Sequence, residues 1–137
     1  MYLLHTNVVS ELRRIKPHGA VVAWLKSVPD ASLHLAAVTL GEIQRGIERT
    51  REHDAAKAHE IEEWADSVEQ TFAVIAADAP IFRYQARLMR GYPDSVYEDA
   101  LIAATAMAHD LIVVTRNVAD FNPFDVRVVD PFALPKS

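Results

Sequence analysis

Short apolar runs alternate with longer amphipathic segments along the chain, which is the pattern of strands connected by helices. The strand-like runs are Tyr2–Leu4, Leu33–Ala37, Phe72–Ile75, Leu111–Thr115 and Val126–Val129. Helical periodicity marks the segments between them: Val8 to near Pro17, Val21–Leu25, Thr39–Ile47, Ala55–Val68, Ala79–Met89 and Ser95–His109. This alternation predicts an α/β sandwich around a mainly parallel central sheet.

In an open parallel sheet, functional sites gather at the carboxyl ends of the strands. In this chain the rule selects the segments that follow Leu4, Ala37 and Val114. Polar residues stand in an apolar setting at these strand ends and at the start of the helix that Ser95 opens. We therefore predict that the chemistry of the protein lies along this edge of the sheet.

His5 and Glu42 each have a structural and a functional interpretation. His5 directly follows the first strand, where it is either a hydrogen-bonded core or capping histidine or part of a site. Thr39 and Glu42 have the spacing of a capping box, which would make this carboxylate structural. The apolar neighbours Leu40 and Ile43 indicate instead an acid placed for chemistry.

The pair Glu98 and Asp99 opens the most apolar helix. Ser95 and Glu98 have the spacing of a second capping box. Asp99 leads the stripe that continues through Ile102 and Ala106, so its carboxylate faces apolar surroundings. Burying an unpaired carboxylate costs several kcal/mol, so a cation or hydrogen-bond donors must lie near it. Metal ligation or catalysis is one interpretation of Asp99, and a structural salt bridge is the other.

A fourth polar group, containing Asn117 and Asp120, follows the strand that ends near Val114. Both residues are common in turns, and both also offer oxygen ligands. Thr6 and Thr115 can orient a bound water or phosphate. If Glu42, Asp99, Asn117 and Asp120 converge, their hard oxygen donors favour Mg²⁺ or Mn²⁺. Such an ion activates water and neutralises a phosphodiester.

Composition narrows the class of protein. With 137 residues the chain fits one domain over 1–137, and without cysteine it has no disulfide framework, Cys-ligated zinc or thiol nucleophile. The longest nearly apolar run, Ala100–Ala108, is shorter than the roughly 20 residues that span a bilayer. No signal peptide is evident, so we expect a soluble cytoplasmic protein. The net charge of −5 excludes a wholly basic nucleic-acid-binding surface but allows a local basic patch or a metal.

Four segments carry a family resemblance: Tyr2–Leu12, Val38–Ile47, Asp99–Ala106 and Val113–Phe121. In this order, and spanning nearly the whole chain, they resemble the PIN-domain toxins of bacterial toxin–antitoxin modules, of the VapC and FitB type. The resemblance implies a PIN-like α/β/α sandwich and an endoribonuclease that depends on Mg²⁺ or Mn²⁺. It also implies a homodimer, a small antitoxin that occupies the site, and operator DNA bound mainly through that antitoxin.

The resemblance also assigns residues. Glu42 and Asp99 match the acidic metal positions, Asn117 and Asp120 share the more variable fourth position, and Thr6 matches the hydroxyl beside the site. Contacts to RNA phosphates are expected from two arginines in these segments, Arg116 and Arg45. The alternative interpretation is that both are solvated surface residues without a role in the site.

His5 departs from the family pattern, which has an aspartate at this position. An imidazole replaces an anionic oxygen ligand with a neutral nitrogen, which Mn²⁺ tolerates better than Mg²⁺. The sequence therefore predicts an impaired nuclease, the alternative being an active enzyme with His5 as a ligand of Mn²⁺. A second hypothesis is a catalytically weak partner that binds an antitoxin and tunes its operator affinity. A third, a small phosphatase or nucleotide-binding domain, lacks any phosphate-binding loop.

Overall fold

Five parallel strands form the centre of the molecule in the computed structural model, which describes residues 1–133. The strands are β1 (Tyr2–Leu4), β2 (Leu33–Ala36), β3 (Ala73–Ile75), β4 (Ile112–Val114) and β5 (Val128–Val129). Their order across the sheet is β3-β2-β1-β4-β5, and every neighbouring pair is parallel. The predicted α/β class with a parallel sheet is therefore confirmed.

Six α-helices connect the strands: α1 (Thr6–Glu11), α2 (Gly19–Ser27), α3 (Ala37–Arg51), α4 (Ala55–Thr71), α5 (Ala79–Leu88) and α6 (Tyr97–Ala108). Short 3-10 turns occupy Asp30–Ser32, Asp94–Val96 and Val118–Phe124. Within residues 1–133, no helix has both the length and the apolar character needed to cross a membrane.

The sheet separates two cores because successive residues of a strand face opposite sides. Leu4 and Leu35 pack against apolar residues of α1 to α4. Leu3 and Ala36 face the other way, towards α6 and the turn that contains Phe121. Strands β1 and β4 are covered on both faces, which explains why their sequences are continuously apolar.

Two helix starts differ from the capping boxes predicted from the sequence. Helix α3 begins directly after β2 with Ala36 as its N-cap residue, so Thr39 lies inside the helix. Helix α6 begins at Tyr97 with Val96 as its N-cap, so Ser95 lies outside it. Neither N-cap makes a side-chain hydrogen bond. The capping interpretations of Glu42 and Glu98 are therefore wrong, and neither carboxylate is used to cap its helix.

Glu11 ends α1 and clamps the loop formed by residues 12–18. Its carboxylate accepts hydrogen bonds from the His18 backbone N–H at 2.8 Å and from Arg14 Nη1 at 3.2 Å. Burial by itself raises the pKa of Glu11. The His18 N–H and the Arg14 guanidinium outweigh burial, so the pKa of Glu11 lies below its ordinary value of 4.5.

We expect Glu11→Gln to reduce the free energy of unfolding by about 1–3 kcal/mol at neutral pH, because charged hydrogen bonds are lost. A carboxyl group whose pKa is lowered by folding stabilises the protein above its unfolded pKa, and this contribution is lost as the pH falls through the folded value. Urea unfolding should therefore show the difference between native and variant chains shrinking below about pH 4.5. A difference that stays constant with pH would contradict the ionic clamp.

Candidate active site

The carboxyl ends of β1, β2 and β4 bring the candidate residues to one edge of the sheet. His5 follows β1, and its backbone N–H donates to the Val114 carbonyl at 2.9 Å, which ties the ends of β1 and β4 together. Glu42 lies in the second turn of α3, directly after β2. Glu98 and Asp99 lie in the first turn of α6.

The His5 ring is fixed by a hydrogen-bond network that joins residues far apart in the sequence. Its Nδ1 lies 2.9 Å from Thr115 Oγ1 and 3.2 Å from Asn7 Nδ2. Asn7 Nδ2 also donates to Thr115 Oγ1 at 3.1 Å. The backbone N–H of Asn117 donates to the same hydroxyl oxygen at 3.0 Å. His5 itself is 8% exposed and meets Phe121 edge-on, with ring centroids 5.3 Å apart.

This network assigns the imidazole tautomer. The Arg116 backbone N–H donates to Asn7 Oδ1 at 3.1 Å, so the other end of the amide, Nδ2, must point towards His5. Thr115 Oγ1 already accepts two N–H groups, which leaves its own proton for His5 Nδ1. With Nδ1 accepting, a neutral imidazole carries its proton on Nε2.

The protonated nitrogen of His5 faces Asp99. His5 Nε2 and Asp99 Oδ1 are 3.5 Å apart, and the Asp99 side chain is 28% exposed. His5 therefore presents an N–H, rather than a lone pair, to the acidic side of the site. Binding a metal ion through Nε2 requires that proton to leave or to move to Nδ1, and a move to Nδ1 breaks the hydrogen bond donated by Thr115.

Glu42 is the least satisfied acid at this edge. Within the described residues, its Oε1 atom and the Thr6 hydroxyl are buried without a hydrogen-bond partner. Burial is the main cause that raises the pKa of Glu42 above its ordinary value, and the neighbouring Glu98 charge raises it further. An under-satisfied carboxylate next to a second acid is an environment that a cation would stabilise.

A small cavity of about 280 Å³ opens beside Glu42. Thr6 lies on its wall, together with Arg13 from the clamped loop and Trp64 from α4. Gly46 also lines it, and a Cβ there would meet nothing within 4 Å. The cavity gives solvent or a small polar group direct access to the acid.

The remaining predicted residues have exposed side chains. The side chains of Asn117 and Asp120 are exposed, and within residues 1–133 neither is bonded to His5, Glu42 or Asp99. Arg45 pairs with Glu98 at 3.1 Å, which uses part of its charge. The exposed Arg116 guanidinium lies 4.6 Å from the centre of the Phe132 ring.

The donor set fits a divalent ion held by few protein ligands. In the described part of the chain, no three His, Asp or Glu side chains stand close enough to enclose a metal. Mg²⁺ commonly binds through one or two carboxylates and completes its shell with water. Glu42 and Asp99 are the carboxylates available for such a site, and Glu42 has a buried oxygen without a partner in the described residues. His5 is not suited to be a ligand, because its proton points towards Asp99.

A family model described as the PIN domain matches residues 2–122. The chain belongs to the PIN-domain family. It is 34% identical to Toxin FitB of Neisseria gonorrhoeae, over 96% of this chain and 99% of that protein. It is 29% identical to VapC ribonuclease Y4jK of Sinorhizobium fredii, over 96% and 98% of the two chains.

Solved structures are similar to this chain over nearly its full length. The structure of FitAB bound to an IR36 DNA fragment superposes with a TM-score of 0.85 at 31% identity, covering 98% of both chains. A toxin–antitoxin complex from Klebsiella pneumoniae gives a TM-score of 0.74 at 25% identity, covering 98% of this chain and 100% of the other.

Sequence reasoning missed two residues of the site. Glu98 was explained as a cap, yet its charge raises the pKa of Glu42 and its carboxylate binds Arg45. Asn7 has no role predicted from the sequence, yet its side chain links His5, Thr115 and Arg116. The pair of adjacent acids at residues 98 and 99 was the available signal for Glu98. No local signal pointed to Asn7, because two of its partners lie more than a hundred residues away.

Proposed function

We propose that this PIN-domain protein is the toxin of a type II toxin–antitoxin module and a metal-dependent endoribonuclease whose activity His5 impairs. The observation that supports the reaction is the buried, unpartnered oxygen of Glu42 among the described residues, close to Glu98 and on the edge that Asp99 shares. Its relatives are named a toxin and a ribonuclease. The chain forms one PIN-like domain over 1–137 in this proposal.

A divalent ion, Mg²⁺ or Mn²⁺, supplies water activation and charge neutralisation when it is bound. Glu42 and Asp99 would hold this ion, and the Thr6 hydroxyl, which also lacks a partner within residues 1–133, would orient a water beside Glu42. Asn117 and Asp120 contribute through water from the turn after β4. Arg116, which is exposed, and Arg45, which is shared with Glu98, contact RNA phosphates.

His5 impairs this site in two ways. It removes one negative charge from the family's acidic set, which weakens the attraction for a divalent cation. It also directs an N–H towards Asp99, so that the imidazole competes with the ion for that carboxylate. Because imidazole suits Mn²⁺ better than Mg²⁺, residual activity is expected to be greater with Mn²⁺.

The partners follow from the complexes of relatives. FitAB is solved with a DNA fragment, and a further relative of this fold is a toxin–antitoxin complex. We propose that a small cognate antitoxin covers the acidic edge and that operator DNA is bound through the antitoxin. We further propose that the protein is a homodimer, with α4 and α5 as candidate interface helices. We also propose that it is located in the cytoplasm.

The second candidate function is a catalytically weak partner that serves complex formation and operator autoregulation. The 3.5 Å contact between His5 and Asp99 favours it, because it places the imidazole beside an acid that the nuclease needs for a metal.

Cleavage of single-stranded RNA by the purified His5→Asp chain tests the enzyme. We expect Mg²⁺-dependent cleavage that EDTA abolishes and that the added substitution Asp99→Asn reduces by about 100-fold or more, since even outer-shell changes cost 10–100-fold. Expression of the His5→Asp chain is expected to arrest growth, a co-expressed antitoxin should relieve the arrest, and the added Asp99→Asn should prevent it. RNA left intact by His5→Asp with both Mg²⁺ and Mn²⁺ would refute the nuclease and support the binding partner.

A further inference from the structure

A second and larger cavity, of about 610 Å³, lies against the loop that Glu11 clamps. Its wall also includes Ile15 and Glu60. The four cationic side chains that line it are Arg13, Arg14, Lys16 and Lys57. Two of the four lysines of the whole chain are in this set, although the protein carries a net charge of −5. The cavity is therefore a local concentration of positive charge on an acidic protein.

The positive charge of this basic cavity is only partly neutralised. Arg14 pairs with Glu11 at 3.2 Å, and Lys57 pairs with Glu60 at 3.5 Å. Arg13 and Lys16 are exposed, and no acidic partner lies within 4.0 Å of either in the portion that the structure describes. The surplus of two cations is thus available to an external anion.

Arg13 joins the basic cavity to the acidic edge. It lines the basic cavity and also the smaller cavity that contains Thr6 and Glu42. A polyanion that reaches Glu42 must overcome the charges of Glu98 and Asp99. Cationic side chains beside the route to Glu42 offset this repulsion and set the direction from which an RNA strand approaches.

We propose that the basic cavity binds the phosphates of single-stranded RNA on the way to Glu42, with Arg13 and Lys16 as the main contacts. This inference rests on the proposed ribonuclease function and names a substrate-binding surface for it. Glu11 holds the loop of residues 12–18 through the His18 N–H and Arg14. Arg13 and Lys16 can therefore bind RNA without the entropy cost of ordering this loop.

A protein partner is the alternative occupant, since Ile15 is 99% exposed. Protein interfaces are depleted in lysine and enriched in aromatic residues at their centres. Among the described residues, the wall of the basic cavity has two lysines, one aliphatic side chain and no aromatic one, while its two arginines suit either kind of partner. This composition favours a nucleic-acid backbone.

Binding of a random pool of RNAs of about 12 nucleotides, blocked against cleavage by 2′-O-methyl groups, tests the proposal by fluorescence anisotropy in EDTA. The Arg13→Gln/Lys16→Gln chain should bind about tenfold more weakly at about 0.15 M salt, because each single-strand phosphate contact contributes a salt slope of about −0.7. The slope of log K against log salt should fall in magnitude by about 1.4.

Lys26→Gln/Arg90→Gln is the matched control. It removes one lysine and one arginine that are exposed elsewhere, and it should leave affinity and slope unchanged. Equal thermal unfolding of the three chains shows that the clamped loop is intact.

Two outcomes overturn the proposal. One is RNA binding that is absent from the native chain or equal in all three chains. The other is a loss of binding to the purified antitoxin with unchanged RNA binding, which assigns the basic cavity to the protein partner. Because the assay contains no metal, it separates this proposal from the nuclease. Salt-sensitive RNA binding through the loop with no cleavage by His5→Asp would refute only the enzyme.

Discussion

His5→Asp is expected to raise the affinity for Mg²⁺ and the rate of RNA cleavage by at least about tenfold, which corresponds to about 1.4 kcal/mol of binding. The upper bound on the electrostatic gain from the restored charge is larger, since two unit charges about 4 Å apart interact by about 4 kcal/mol at an effective dielectric constant near 20. The substitution restores a negative charge and removes the N–H that faces Asp99. Calorimetric titration with Mg²⁺ measures the affinity without relying on activity.

His5→Asn separates the two causes of impairment. Asparagine removes the imidazole but adds no charge, so it should recover less affinity than aspartate. Equal recovery by both variants would show that the imidazole N–H, rather than the missing charge, blocks the site. Native affinity for Mg²⁺ equal to that of His5→Asp would refute impairment by His5 altogether.

Glu42→Gln in the His5→Asp chain is expected to reduce metal-dependent cleavage by about 100-fold or more, because it removes a proposed ligand rather than an outer-shell group. The same substitution should make the metal-free protein more stable at neutral pH. Folding raises the pKa of Glu42, so the native state binds more protons than the unfolded chain just above the ordinary value of 4.5. Stability in EDTA therefore falls as the pH rises through this interval, and the glutamine variant lacks that fall.

Thermal unfolding in EDTA across that pH range, beside a cleavage assay, checks both parts of this prediction. Glu69→Gln on the exposed face of α4 is the control, because it removes the same charge away from the site. A Glu42→Gln chain that cleaves normally would contradict the assignment of Glu42 as a ligand. A chain that loses both activity and stability would show that Glu42 is structural.

The strands and most helices followed from local pattern, because a buried parallel strand must be continuously apolar and a covering helix must repeat its apolar face. The helix starts did not. Thr39 and Ser95 have good capping chemistry, yet β2 runs directly into α3 and a 3-10 turn precedes α6. The chain path between packed elements, rather than the preference of one side chain, set these boundaries.

The candidate site was partly predictable for the same reason. Parallel strands end at one edge, so the segments that carry His5 and Glu42 are predicted to lie there, whereas Asp99 opens a helix and joins the predicted site through the family resemblance. Asp120 and Asn117 illustrate the limit, since a residue that follows a strand by several positions can point to solvent. Their role as ligands stays a prediction.

The sequence by itself determined the parallel sheet, the edge that carries the acids and the position at which a histidine interrupts them. These properties depend on the order of residue types along the chain. Only the tertiary structure decided that His5 carries its proton towards Asp99, because Thr115, which fixes the tautomer, lies 110 residues away. It also decided that Glu42 is unsatisfied and that Arg13 stands between an acidic and a basic cavity. Charges and hydrogen bonds act through space, and the distances between distant residues exist only after folding.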